Sequence, residues 1–307
     1  MISNEIYQII QKICICPHCG GDLKWNDSAT CPKCSIEYPI DKETNQIDLR
    51  LQKSKEIIVT QMVGKEGNSF NKVQDGEGVN SFSFGYIKND GGIDFSFVPK
   101  NIRKPVSKLY SWLPNNGGIA IDIGSSKDKN NKFYLESVGF KYISVDYDSQ
   151  ESMLLADAHS LPFKDSAIDC LLNLAVMEHI EHPYIAGKEF YRILKKGGRM
   201  LGVVAFLQQQ HMSSWYHFTH FGVYSWLKNS GFESNKFKID ASDKKYHGIF
   251  NTASLIGLPK WLKNLLLTPI YSLHRLLWWL YQKKSKQDLE QQRHLQTTGA
   301  VHFIADK

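Results

Sequence analysis

The chain has 307 residues, 42% of them hydrophobic, so a sizeable core can be buried and intrinsic disorder is not the default. A formal net charge of +6 permits contact with phosphates or an anionic membrane surface, but without the dense basic stripe of a protein that coats nucleic acid. Residues 1–19 hold no basic region followed by a long apolar run; no secretory signal is expected, and a reducing, cytoplasmic setting follows.

In chain order, the first signal is cysteine spacing. Cys16-Pro-His-Cys19 and Cys31-Pro-Lys-Cys34 are separated by eleven residues. Four thiolates on two knuckles suit a tetrahedral zinc ion, and a site closed by four cysteines leaves no position for a catalytic water. The alternative is four reduced cysteines without a metal. His18, between two better ligands, is expected to be exposed. Cys14 and Cys170 read as spare thiols, the latter in a core strand. Residues 1–50 are therefore expected to form a small zinc module, and 51–115 a linker and cover. Within that linker, 52–63 reads as a short helix or strand, and 64–94 as loop with aromatic anchors (Phe70, Phe82, Phe84, Tyr86). Residues 100–113 read as a helix.

From residue 116 to 307 short apolar runs alternate with helical spacing. GIAIDIG, YISVDY, the run within ESMLLADAHSLPF, SAIDCLLNLAVM and RMLGVVAF read as five strands. NNKFYLESVG and YIAGKEFYRIL read as helices, the second ending at Lys195-Lys-Gly-Gly198, residues suited to a helix C-terminus. Such alternation implies an α/β fold with an open, mostly parallel sheet, whose ligands bind beyond the carboxyl ends of the strands. Gly299 to Lys307 reads as the last strand.

Candidate cofactor contacts lie at those strand ends. Asp122-Ile-Gly124 closes the first strand, where a glycine allows a tight turn beside a ligand and the following helix aims its amides at a charged group. Asp146 closes the second strand 22 residues later, a spacing that suits a ribose diol. Asp157-Ala158 follows the third strand, and Asn173 to Met177 close the fourth. This order resembles the class I S-adenosylmethionine-dependent methyltransferases (the type 11 group). The likeness runs through Asp157-Ala-His-Ser-Leu-Pro-Phe163, Asp165-Ser-Ala-Ile-Asp169, Val176-Met-Glu-His179-Ile-Glu-His-Pro183 and Arg192-Ile-Leu-Lys-Lys-Gly-Gly198. It implies a Rossmann-like sheet with an antiparallel last strand. It also implies S-adenosylmethionine held by Asp122, Gly124, Ser125, Ser126, Asp146, Tyr147, Asp157, Ala158, Asn173 and Leu174. One departure stands out: the family's Gly-x-Gly-x-Gly loop here reads Gly124-Ser-Ser-Lys-Asp128. Tyr38-Pro-Ile-Asp41 and Ile47-Asp-Leu49 resemble the Trm112-like zinc ribbon found ahead of some methyltransferase domains.

Methyl transfer needs alignment and exclusion of water, and a base where the acceptor carries a proton. His179 and His211 are the candidate bases. Gln208 to Thr219 resembles the acceptor-side stretch of methyltransferases that accompany polysaccharide and glycan biosynthesis. Residues 259–286 mix Trp, Leu, Lys and Arg, and lie within an apolar basic insertion at about 253–290. Pro269 breaks the run, so a helix pair lying on an anionic membrane surface is expected; the alternative is packing on the domain or on a twin subunit. The leading expectation is methyl transfer to a small-molecule or lipid-linked, glycan-type acceptor. The competing ones are a ribosomal- or transfer-RNA base methyltransferase and a non-catalytic binding protein. Nucleic acid is the weaker partner, because no basic, aromatic stripe is present.

Overall fold

The computed structural model describes residues 2–51, 108–125, 130–208, 213–242, 258–285 and 290–307. The expectations for 52–63, 64–94 and the start of 100–113 lie outside the described residues. Lys108–Trp112 is a short 3₁₀ turn.

Eight strands form the main sheet: β4 (Ile47–Asp48), β5 (Gly118–Ile123), β6 (Phe140–Asp146), β7 (Leu154–Leu155), β8 (Ile168–Leu174), β9 (Leu194–Ala205), β10 (Phe237–Ala241) and β11 (Ala300–Asp306). Their order is β10-β11-β9-β8-β5-β6-β7-β4. Strands β4 to β9 pair in parallel, and β11 runs antiparallel to both β9 and β10. The strand order reverses at β5, between β6 and β8, and such a switch opens a crevice at the carboxyl ends. The mostly parallel α/β sheet is the architecture expected from the alternation, and its antiparallel last strand is the one that the resemblance implies.

Period-two burial explains why the sheet is covered on both faces. Ile121, Ile123, Ile143, Val145 and Leu171 point into one apolar cluster, which also takes in Phe190 and Trp226. Ala120, Tyr142, Cys170 and Leu172 point into the other, with Leu109, Trp112, Tyr134 and Leu135. Helix α2 (Asn130–Ser137) lies on the second face. Helices α3 (Pro183–Ile193) and α4 (His220–Ser230) lie on the first.

The cysteine segment shares this core. It opens with helix α1 (Asn4–Ile13), capped by Ser3, whose Oγ accepts from the Ile6 amide, and it buries Ile6, Ile10 and Ile13. A small sheet of β1 (Lys24–Trp25), β2 (Ser28–Thr30) and β3 (Glu37–Pro39) follows. Strand β4 then leaves it to extend the main sheet, with Ile47 opposite Leu154 and Asp48 opposite Leu155. Ile10, Tyr38, Ile47 and Leu49 are buried in the same cluster as the sheet residues.

Two expectations are corrected. Lys195 to Gly198 does not end a helix: α3 stops at Ile193, and the four residues form an irregularity inside β9. Leu194 pairs with Ile168 and Arg199 with Cys170, so β9 carries extra residues there, and Gly197 takes the left-handed turn at φ 79°. Pro269 does not separate two helices: α5 (Lys260–Ser285) runs through it as one helix of 26 residues. A second, short helix, α6 (Glu290–Thr297), precedes β11. Among the described residues no helix is long and apolar enough to cross a membrane.

Helices α3 and α4 touch at Gly187, where an added Cβ would lie 2.0 Å from Ser230 Oγ and 2.5 Å from Trp226 Nε1. Both groups are already engaged, Ser230 with the Trp226 carbonyl and Trp226 with the Pro183 carbonyl. Gly187→Ala would gain about 1 kcal/mol of helix propensity and incur about 1–3 kcal/mol of overpacking. A net loss of up to about 2 kcal/mol in urea unfolding is expected, because neither buried partner can retreat without breaking its bond.

Candidate functional site

The carboxyl ends of β5 to β8 surround a cleft of about 630 Å³. Strand β5 contributes Ile123 and Gly124; β6 contributes Val145, Asp146 and Tyr147; the segment after β7 contributes Ala156, Asp157, Ala158 and His159; that after β8 contributes Ala175, Val176 and His179. Ser213 and Trp215 stand at its rim.

Gly124 turns the chain at φ 69°, where a Cβ would meet Val176 Cγ2 at 2.4 Å. The loop is pinned back to β6, since the Gly124 and Ser125 amides donate to the Val145 carbonyl at 2.8 and 3.3 Å. Ser125 is 3% exposed and, among the described residues, its Oγ has no hydrogen-bond partner. The same holds for both amide atoms of Asn173, wholly buried in β8. Native proteins leave few such groups unmet, so polar atoms kept dry beside a cleft mark where a polar ligand fits. Ala175, next to the end of β8, is held at φ 57°, an uncommon conformation for a residue with a side chain.

Asp146 and Asp157 are held by different means. Asp146 Oδ1 accepts from the backbone amides of Asp148 and Ser149 at 3.1 and 3.2 Å, which fixes the carboxylate at the rim. Asp157 Oδ1 accepts from the His159 amide at 2.9 Å and lies 2.6 Å from His159 Nδ1. His159 Nε2 accepts from the His182 amide at 3.3 Å, so the Nδ1 atom must carry the proton that is given to Asp157. Burial pushes the Asp157 carboxyl up, but the two bonds from His159 outweigh it and hold the carboxyl below its ordinary value.

Not every expected residue faces the cleft. Gly124, Asp146, Tyr147, Asp157, Ala158 and His179 line it; Ser125, Asn173 and Leu174 lie adjacent, outside its lining. Asp122 is buried in the second core, where its Oδ2 accepts from Asn131 Nδ2 at 2.9 Å and from the Tyr142 hydroxyl at 3.0 Å, and so it ties β5 to α2 and β6. Ser126 and His211 lie outside the described residues. Sequence reasoning missed His159, and it placed Val176 and Trp215 only within the stretches 173–177 and 208–219. The Asp-x-His spacing of 157 and 159 was the available signal for the first. Trp215 arrives only through folding: the Trp215 and Tyr216 amides donate to the Glu178 carbonyl at 2.7 and 3.3 Å, and the Tyr216 hydroxyl donates to the Glu181 carbonyl at 3.0 Å.

The four paired cysteines also converge. Their sulfur atoms all lie within 4.8 Å of one another, with Cys16–Cys34 at 3.6 Å and Cys19–Cys31 at 3.5 Å. Tetrahedral thiolates about 2.3 Å from a zinc ion would stand about 3.8 Å apart, so the cluster has the dimensions of a metal site. The two knuckles are built alike: the Gly20 and Ser35 amides donate to the Cys16 and Cys31 carbonyls, and both residues are left-handed, at φ 68° and 60°. The buried Tyr38 hydroxyl is 3.2 Å from Cys16 Sγ. His18 is exposed, as expected.

A family model described as a methyltransferase domain matches residues 121–202, the stretch that runs from β5 into β9 and forms the cleft. Two uncharacterised methyltransferases of Mycobacterium leprae, from strains Br4923 and TN, are each 31% identical over 105 residues, covering 28% of this chain and 39% of theirs. The match thus spans about two fifths of those relatives. Among solved structures, Haemonchus contortus phosphoethanolamine N-methyltransferase 2 in complex with S-adenosylmethionine has a TM-score of 0.41 at 14% identity, covering 65% of this chain and 50% of that one. An Archaeoglobus fulgidus SAM-dependent methyltransferase has a TM-score of 0.42 at 14% identity, covering 63% and 87%. A Haloferax volcanii complex of the Trm112 methyltransferase activator with a methyltransferase has a TM-score of 0.41 at 14% identity, covering 64% and 86%.

At the first turn of the cleft, Gly124→Ala is expected to lower stability by about 2–3 kcal/mol, the sum of about 1 kcal/mol for a left-handed alanine and the collision with Val176. Val176→Ala in the same chain should recover the collision and not the backbone cost. Urea unfolding of the two variants and the double variant reads this, and strict additivity of the single effects would contradict the contact.

Proposed function

We propose that the chain transfers a methyl group from S-adenosylmethionine to a small-molecule or lipid-linked acceptor, of glycan type by the sequence likeness. The carrying observation is the cleft at the strand-order switch, closed beneath by Gly124 and rimmed by Asp146 and Asp157. The residues present suit that cofactor. The turn at Gly124 and the unmet Ser125 hydroxyl would hold its amino-acid end, joined by Ser126. Asp146 would accept from the ribose diol beside Tyr147, and Asp157 and Ala158 would meet the adenine edge. Asn173 and Leu174 would back the reacting end. When bound, S-adenosylmethionine supplies an electrophilic methyl carbon on a sulfonium.

The chain's own work is alignment and exclusion of water. Trp215, pinned over the segment that follows β8, narrows the cleft mouth on the acceptor side. His179 in the cleft lining, or His211 on the neighbouring segment, would take the acceptor's proton. Cys16, Cys19, Cys31 and Cys34 would hold a structural zinc ion, with Tyr38 donating to Cys16. Residues 1–50 would act as a zinc-ribbon module, 51–115 as a cover and 116–307 as the catalytic domain. We also infer that residues 259–286 rest on an anionic membrane surface, facing the cytoplasm.

Calorimetry with S-adenosylhomocysteine tests the cofactor: binding is expected, and Asp146→Asn should weaken it about ten-fold through loss of a charged acceptor. A folded, metal-loaded chain that binds none would end this reading. Elemental analysis should find one zinc per chain. Its chelation should lower the melting temperature by about 5–10 °C, as expected where metal binding contributes to folding.

A further inference from the structure

Asp157 and His159 share the tight turn after β7, where the Ser160 amide donates to the Asp157 carbonyl at 3.0 Å. The turn brings two donors of one residue to one carboxylate oxygen: the His159 amide and the His159 ring both reach Asp157 Oδ1. The carboxylate is otherwise buried and opens only on the cleft that it lines. Both of its bonds fall on Oδ1, so among the described residues Oδ2 keeps its lone pairs for what enters the cleft. An aspartate by itself turns easily, because its last torsion is broad and two-fold. Two bonds from one neighbour fix that torsion and hold Oδ2 ready.

His159 is fixed in turn. Its Nε2 atom accepts from the His182 amide, and the two imidazole rings meet edge to face at 5.7 Å. His182 caps α3, whose first residue is Pro183, so this amide lies outside the helix ladder and takes His159 as its acceptor. Acceptance at Nε2 leaves the proton on Nδ1, the atom that faces Asp157. The line from the His182 amide through the ring to Oδ1 aligns its dipoles, and each bond strengthens the next.

We propose, resting on the cofactor reading above, that His159 is the positioning residue for the adenine: it locks Asp157 so that Oδ2 accepts from the exocyclic amino group, and so sets a preference for adenine over a purine with a carbonyl at that place. A carbonyl oxygen there would stand against the fixed carboxylate, acceptor against acceptor.

The test compares S-adenosylhomocysteine with S-inosylhomocysteine, in which a carbonyl oxygen replaces the amino group, by calorimetry on the full, metal-loaded chain. The parent should favour the adenine form about a hundred-fold. His159→Phe keeps a ring against His182 and removes both nitrogens, and it should cut that preference about ten-fold. His159→Asn keeps a donor near the place of Nδ1 and removes the acceptor for His182; it should hold the preference within about two-fold of the parent. Asp157→Asn can turn a donor toward the carbonyl oxygen and should lose the preference, and adding His159→Phe to it should change nothing further. Nitrogen NMR of the parent supplies a reading that does not depend on how well His159→Phe folds. The His159 ring, identified by its loss in His159→Asn, should carry its proton on Nδ1.

His159→Phe that weakens both ligands equally, with the preference intact, would reduce His159 to packing and overturn the proposal. Equal loss of preference in His159→Asn and His159→Phe would assign its role to the His182 amide and overturn it too, as would a proton on Nε2. A parent that binds both ligands without preference would overturn the adenine seat and leave the cofactor reading standing. A folded parent that binds neither would overturn both.

Discussion

The segment from Ala156 to Asp165 is gripped from two sides, and the cleft depends on that grip. From α3, Arg192 donates to the Leu161 and Phe163 carbonyls at 2.9 and 2.6 Å, and Glu189 accepts from the Leu161 amide at 2.8 Å. Arg192 also pairs with Glu189 and Asp165. From the cysteine segment, the Ile15 amide donates to the Pro162 carbonyl, the Ile13 carbonyl accepts from Lys164, and the Pro17 carbonyl accepts from Ser160 Oγ at 2.6 Å. Strand β7 has only two residues. So short a strand cannot fix the chain that follows it, and the side-chain and inter-segment bonds supply what a longer ladder would. Buried carbonyls left unmet would each cost about 1–3 kcal/mol, so the two grips act as one unit.

This grip makes the cysteine segment part of the domain. Pro17, between the first two cysteines, touches the segment that carries Asp157 and His159. A metal-filled knuckle would therefore stiffen the rim of the cleft as well as its own small sheet. Strain is concentrated at the same places. Ser35 closes the second knuckle and Ala175 stands beside Gly124 and Val176, and both are left-handed without being glycine. Such backbones persist only where surroundings over-determine them, at about 1–3 kcal/mol each. Helix α5 is the opposite case, a long element that makes few contacts among the described residues and has most of its apolar side outward.

Much of this was legible from the residues. The alternation of apolar runs with helical spacing announced the parallel sheet, because strands buried on both faces must be continuously apolar. The cysteine spacing announced the cluster, since two Cys-x-x-Cys turns can each present two thiols to one point. Lys195 to Gly198 misled because lysines and glycines suit a helix C-terminus and a bulge equally; pairing with β8 and β11 decided between them. Pro269 misled because a proline ends a helix only when its neighbours cannot supply an alternative. Asp122 reads as a ligand residue from its place before Gly124, yet Asn131 and Tyr142 turn its carboxylate into the core.

The sequence by itself determined the strand order's raw material, the two cysteine knuckles and the glycine at the first turn, because each is a local property of spacing and backbone freedom. The tertiary structure alone decided that β4 joins the main sheet, that His159 is oriented by the His182 amide, and that Trp215 reaches the cleft. Each of these is a contact between residues far apart in the chain or on different elements. No periodicity encodes such contacts; they exist only once burial of the shared core has fixed the elements against one another.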